Sequence, residues 1–305
     1  MQEVRVITPA TVANVVCGFD CLGFALTEPF DEMTLRRTDD PGIRIINRDE
    51  FGLPTKPEEN VTGVVAAAAL KRAGTDFGLE IEITKHIMPG SGIGSSSASA
   101  AGAAVAVNRL LGDKFSKLEL VDLAMEGEKL ASGSRHADNV APCIFGGFTL
   151  VRSTEPLDVV TLEFPPLWAT IIHPQIEIKT AEARAILPKD VPLNTAVKQW
   201  GNVGSLVAGL AKGDYGLIAR SLEDLIVEPV RKSLIPKFDE VKEASLSAGA
   251  LGGGISGSGP SIFMLSEGAA TAEKVKIEMR SVYSRTDIEF NMYVSELASS
   301  GARSL

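Results

Sequence analysis

The chain has 305 residues, 45% of them hydrophobic and 23% charged, with 39 acidic against 30 basic side chains and a formal charge of −9. This is ordinary globular usage with length enough for a substantial core, which excludes disordered, collagen-like and disulfide-stapled classes. The acidic balance, without any Lys/Arg stripe, excludes a nucleic-acid surface but not a pocket for a small anion, which needs only a few local cations.

Cys17, Cys21 and Cys143 contain no C-x-x-C pair and read as free thiols. The first residues, Met1-Gln2-Glu3-Val4-Arg5, do not form a basic-then-apolar leader. The longest apolar runs, 64–70 and 103–107, fall far short of the roughly 20 residues that span a bilayer. A cytoplasmic protein with no membrane partner is therefore expected.

In chain order, residues 4–7, 33–35, 43–46 and 79–83 read as strands from β-branched content and period-two alternation. Residues 60–73 and 95–111 predict Ala-rich helices closed by Gly74 and Gly112. Ser116 caps a third helix running to about residue 131, with Glu119 in capping-box register. Strands at 147–152 and 159–164 lead to the break at Pro165-Pro166. Beyond it come a strand at 168–172, helices at 180–186, 193–211 and 214–222, a helix at 238–247, and a closing strand, helix and strand at 261–265, 269–281 and 288–294. Strands and helices mix without a strict βαβ rhythm, which points to α+β. The boundary falls within 155–166, giving domains at 1–160 and 161–305.

Glycine accumulates in two places. The run Pro89, Gly90, Ser91, Gly92, Ile93, Gly94, Ser95, Ser96, Ser97, Ala98, Ser99 follows a strand and opens a long helix. Backbone N–H groups can converge there without Cβ obstruction, and the helix N-terminus adds unpaired donors and partial positive charge, a combination that binds phosphate. The serine hydroxyls can donate to phosphate oxygens or ligate Mg²⁺. A plain turn capped by Ser95 is the simpler reading, but three glycines in five residues exceed what a cap requires. The chain has no Gly-Lys pair and so no Walker A loop.

The second cluster, 249–260, spells G-x-G-x-x-G at Gly252, Gly254 and Gly257. A helix precedes it and a strand follows, the reverse of a dinucleotide-binding turn, so that reading is rejected. These glycines instead allow a loop to approach another backbone or a ligand.

A third stretch, 126–142, ends a helix and then presents His136, Asp138 and Asn139 beside apolar Val140-Ala141. Two readings stay open for the last pair: caps of the next segment, or polar groups held near the core for a site. A metal centre of His136 and Asp138 alone is not favoured. Asn14, Asp20, Arg184 and Arg231 say little individually.

Together these segments resemble the galactokinase, homoserine kinase, mevalonate kinase and phosphomevalonate kinase (GHMP) superfamily. The resemblance rests on Pro89 to Ala98, the second glycine cluster, and Thr8 to Asn14 with Gly18-Phe19-Asp20. Arg135 to Pro142, Thr180 to Arg184 and Glu228 to Arg231 are similar to the homoserine kinase branch. Val16-Cys17 stands where the family often has glycine and another small residue, and Ile93 replaces a usual leucine.

The resemblance implies a two-domain GHMP-kinase fold. Its first domain is ribosomal-protein-S5-domain-2-like, with left-handed βαβ units; its second is ferredoxin-like. ATP and an L-homoserine acceptor would lie between them, in a homodimer. Arg184 and Arg231 match the positions that take the substrate carboxylate; Asn14, Asp20 and Asp138 suit its ammonium, with His136 holding the same region. Ser96 (or Ser95) and Glu128 match Mg²⁺ ligands, and Asn60 the position facing the nucleotide base. Asp138, Asn139 and Arg184 are the implied catalytic set, Asp138 as an orienting group before a general base. A sister kinase for a mevalonate-type alcohol and a catalytically silent relative are the alternatives.

Overall fold

The computed structural model describes residues 1–305. Its first half contains β1 (Glu3–Ala13), β2 (Leu22–Thr38), β3 (Ile43–Asn47), α1 (Val61–Ala73), β4 (Gly78–Thr84), α2 (Ser95–Leu110), α3 (Lys117–Ser132), α4 (Val140–Phe145), β5 (Phe148–Thr154) and β6 (Leu157–Leu162). The second half contains β7 (Trp168–Pro174), α5 (Thr180–Ala185), α6 (Leu193–Lys212), α7 (Tyr215–Ser221), α8 (Glu228–Arg231), α9 (Phe238–Ser247), β8 (Gly252–Ile255), β9 (Ile262–Ser266), α10 (Ala269–Tyr283), β10 (Phe290–Glu296) and β11 (Arg303–Ser304).

The first sheet has seven strands in the order β11-β1-β2-β4-β3, with β5 pairing β2 and then β6. Long β2 organises it, because Glu32 to Thr38 pair with β4 while Leu22 to Phe24 pair with β5. Only β3 and β4 run parallel, joined across α1. Asn60 caps α1 by accepting from the Thr62 amide, and left-handed Gly74 closes it. Ser116 and Glu119 form a complete capping box at α3.

Helix α2 runs through the centre, nearly all of it buried. Small residues make that possible. A Cβ on Gly102 would sit 3.1 Å from Thr8 and Met33, and one on Gly127 would sit 2.8 Å from Val61. The helix therefore delivers its N-terminus deep into the molecule.

The second sheet is antiparallel, β10-β7-β9-β8, and packs against α9 and α10. Phe24 ties the sheets together, its ring 5.0 Å from Phe148 and 5.7 Å from Phe263. After β10 the chain returns to the first sheet, where β11 pairs with β1. No helix is long and apolar enough to cross a membrane.

Four features differ from the sequence reading. Gly252 to Gly254 form strand rather than loop, and the tight packing explains their composition: a Cβ on Gly253 would lie 2.0 Å from the Phe263 carbonyl. Strand β2 begins well before residue 33, in an apolar run whose Gly23 and Pro29 disguise it. Helices α4 and α8 are one to two turns long and carry internal proline, so no periodicity announces them. Strand β11 is too short to show a pattern.

Candidate active site

Gly90, Gly92 and Gly94 all adopt left-handed φ, at 75°, 81° and 75°. Such alternation leaves the Gly92 and Gly94 N–H groups without an internal partner, while those of Ser91 and Ile93 are taken by the Met88 carbonyl and Ser91 Oγ. The next residue starts α2, and no side chain caps that end. A central helix with an uncapped N-terminus retains its donors and partial positive charge for an anion.

The second glycine cluster clasps this loop from behind. Ser256 Oγ donates to the Gly92 carbonyl at 2.7 Å and Ser261 Oγ to the Ser91 carbonyl at 2.6 Å. A Cβ on Gly92 would stand 2.6 Å from the Gly259 carbonyl oxygen.

Beneath the loop, buried Lys85 pairs with buried Asp31 and donates to the Ser95 carbonyl at 3.1 Å and to Ser99 Oγ at 3.0 Å. Asp31 also accepts the His86 and Ile87 amides. The lysine thus spends its donors fixing α2 to the sheet.

Glu128 of α3 lies opposite. Ser96 and Ser97 hydroxyls both donate to its Oε1 at 2.9 Å, while Oε2 receives no protein donor. Burial raises its pKa, opposed by those two hydrogen bonds. A buried carboxylate with one oxygen free, beside a serine hydroxyl and an anion cradle, is a hard-oxygen donor set that fits Mg²⁺ shared with phosphate oxygens. The protein contains no cluster of three or more His, Cys, Asp or Glu that could hold a metal alone.

The other end of the cleft is built from side chains. Asn14, Val15 and Val16 form a left-handed turn, with φ of 71°, 37° and 61°. That conformation is strained for β-branched valine. The turn presents Asn14, whose Nδ2 donates to the Gly257 carbonyl at 2.7 Å and whose Oδ1 accepts the Asp20 amide at 3.0 Å. Asp20 grips Arg184 with both oxygens, at 3.0 and 2.8 Å. His136 Nε2 lies 3.3 Å from the same guanidinium.

Arg231 is 2% exposed and donates to the Ala183 and Gly257 carbonyls, with no carboxylate partner. Burial, then the neighbouring Arg184, lowers its pKa. Both guanidiniums lie over Phe19, 5.3 and 5.1 Å from its centroid. Asp138 is buried between the two ends of the cleft; burial, then the Asp20 and Glu128 carboxylates, push its pKa up to about 7. Asn139 occupies the N-cap position of α4 without capping it, and its Oδ1 accepts the Thr11 hydroxyl at 2.8 Å. The capping reading of Asn139 therefore gives way to a hydrogen bond across the site.

All these groups border one cleft of about 490 Å³. Residues 60–147 match the GHMP kinases N terminal domain and residues 206–285 the GHMP kinases C terminal domain. A homoserine kinase of Chloroherpeton thalassium is 47% identical over the full length of both chains. Another from Chlorobaculum tepidum is 48% identical, covering 99% of this chain and 98% of that one. The crystal structure of homoserine kinase from Cytophaga hutchinsonii superposes with a TM-score of 0.96 at 51% identity, covering 100% of this chain and 98% of the other.

The chain belongs to the homoserine kinase family of GHMP kinases. As a GHMP kinase it uses ATP, and the α+β fold with its two differently built sheets is the one the resemblance implies. Of the residues expected at a homoserine kinase site, all line the cleft except Ser91, Ile93, Ser97 and Ala98, which turn inward and are fully buried. Asn60 borders the cleft, yet both ends of its amide are engaged, Oδ1 by Thr62 and Nδ2 by the Pro54 carbonyl. It shapes the cleft wall beside Leu53 and Pro54. Ser99 lines the cleft too, but its hydroxyl is engaged within the protein, accepting from Lys85 and donating to the Ser95 carbonyl.

Sequence reasoning missed Lys85, Asp31, Thr11 and, as a functional residue, Phe19. Lys85 and Asp31 sit in strand-like surroundings with no motif. Phe19 alone had a local signal, an aromatic ring between a turn glycine and an aspartate.

Proposed function

We propose that this protein transfers the γ-phosphoryl group of ATP to the side-chain hydroxyl of L-homoserine, giving O-phospho-L-homoserine and ADP. The observation that carries the reading is the continuity of the cleft. One end offers an anion cradle beside Glu128; the other offers two guanidiniums and two carboxylates suited to an α-amino acid. Full-length likeness to homoserine kinases supports the same acceptor.

Phosphoryl transfer demands in-line positioning and charge neutralisation more than covalent chemistry from the protein. The glycine loop and the first turn of α2 hold the phosphates by backbone N–H groups. Glu128 and Ser96 would hold Mg²⁺, which would neutralise phosphate charge during transfer. Arg184 and Arg231 take the acceptor's carboxylate, since a planar guanidinium matches a carboxylate fork. Asp20 and Asp138 supply oxygens to its ammonium, joined by the second lone pair of Asn14 Oδ1, whose first takes the Asp20 amide. Asn139, its Oδ1 already committed to Thr11, has its amide hydrogens free to orient the acceptor hydroxyl. The same reading extends to a cytoplasmic homodimer, whose mass sedimentation measures directly.

The test is Mg²⁺-dependent ADP release from purified protein with L-homoserine, L-threonine, L-serine, mevalonate or no acceptor. Strong turnover with L-homoserine alone is expected. Turnover with mevalonate instead would keep the phosphate cradle and overturn the acceptor assignment.

A further inference from the structure

The Asp20–Arg184 ion pair occupies the position where an amino acid's own charges must go. Asp20 closes bidentately on the guanidinium, as a substrate carboxylate would. The pair is the exposed part of the pocket, at 38% and 36% for the two side chains, whereas Arg231 and Asp138 are buried. An ion pair this exposed is cheap to open. The Asp20 backbone is anchored separately, its amide on Asn14, so its carboxylate can swing without moving the turn.

We propose that the acceptor enters by splitting this pair. Its α-carboxylate takes the place of Asp20 on Arg184, and its α-ammonium takes the place of Arg184 on Asp20. The inference rests on the amino-acid acceptor proposed above and makes the ion pair its specificity device. Both substrate charges sit on one carbon, so they present adjacent opposite charges that match an ion pair.

Charge balance supplies the selection. With Asp138 ionised, Arg184 and Arg231 face Asp20 and Asp138, two cations against two carboxylates. A zwitterion inserted among them leaves no charge unmatched. A carboxylate without an ammonium displaces Asp20 and strands it beside Asp138. An amine without a carboxylate strands Arg184. Before substrate arrives, Asp20 holds Arg184 in place and withholds it from stray carboxylates, with His136 Nε2 beside the same guanidinium nitrogen that Asp20 holds.

The test uses 4-hydroxybutyrate, which is L-homoserine without its ammonium, in binding titrations with the full-length protein. The unsubstituted protein should bind it at least about 100-fold more weakly than L-homoserine. Asp20→Asn should weaken L-homoserine at least about tenfold and tighten 4-hydroxybutyrate at least about tenfold, because Arg184 is freed and one repelling charge removed. Adding Arg184→Gln should abolish that gain. Unchanged ATP affinity and melting temperature in each variant establish that the fold is retained.

If Asp20→Asn leaves 4-hydroxybutyrate unchanged or weaker, the exchange is wrong and Asp20 only meets the ammonium or props Arg184. A gain that survives Arg184→Gln overturns it equally. Failure of the functional reading looks different, as no L-homoserine turnover by the unsubstituted protein.

Discussion

The two ends of the cleft are made of different material. The phosphate end is backbone: three left-handed glycines, an uncapped helix and a second glycine segment clasping the first. The acceptor end is side chains drawn from distant segments, Asp20 and Arg184 being 164 positions apart. Backbone amides attract any phosphate alike, whereas the placement of two arginines and two aspartates distinguishes one alcohol from another. Chemistry common to a superfamily can rest on the first; choice of substrate must rest on the second.

The hardest blow to the backbone end is Gly92→Ala. The new Cβ meets the Gly259 carbonyl at 2.6 Å in a left-handed backbone, so either the loop or its clasp must move. Loss of about 2–4 kcal/mol in stability and about a thousandfold in kcat is expected, since misplaced anion donors cost that order of rate. Denaturant unfolding and single-substrate kinetics measure both. A variant with ordinary ATP kinetics would show that the cradle does not depend on the contact between the two glycine segments.

Glu128→Gln comes next. It keeps an acceptor for Ser96 and Ser97 but removes the charge that would hold the cation. The half-saturating Mg²⁺ concentration should rise about 10–100-fold, with excess Mg²⁺ restoring much of the rate. A rate loss insensitive to Mg²⁺ would move the metal away from Glu128.

Asp138 tests the side-chain end. Its carboxyl has a pKa near 7 in the folded protein against an ordinary 3.8. Between those values the native state holds a proton that the unfolded chain has released, so stability falls as pH rises through this window. Asp138→Asn removes the conflict. It should gain on the order of 3 kcal/mol of stability above pH 7 and nothing near pH 4, while KM for L-homoserine rises about 30-fold. In the unsubstituted enzyme kcat/KM for L-homoserine should climb through about pH 7 as Asp138 ionises to meet the ammonium. Collapse of kcat at fixed KM would instead make Asp138 a general base.

The same contrast explains what was legible in the sequence. Gly90, Gly92 and Gly94 followed by serines state their chemistry locally, because a left-handed loop before a helix can be read from one short segment. The α3 capping box and the Gly74 stop are local for the same reason. Asp20, Arg184 and Arg231 become a site only once the turn between β1 and β2 and the second half of the chain come together, and resemblance alone gathered them. Lys85 and Asp31 carry no pattern even then, since a buried pair under a loop looks in sequence like any strand-end lysine and aspartate. Strand β8 was hidden by its own glycines, whose reason lies in neighbours such as Leu222 and Phe263.

Phe19→Leu gives the smallest effect and the finest separation of the two ends. The ring carries both guanidiniums and lines the cleft beside them. A cation over an aromatic face gains about 0.5–2 kcal/mol, more as water is excluded, and leucine keeps most of the bulk while losing the quadrupole. KM for L-homoserine should therefore rise about 5–10-fold, with kcat and KM for ATP unchanged. A neutral result would mean that the Ala183 and Gly257 carbonyls and Asp20 orient the arginines by themselves. A shift in KM for ATP would be more damaging, because Arg231 and the second glycine segment meet at Gly257, and the acceptor's recognition would then reach the phosphates through that carbonyl.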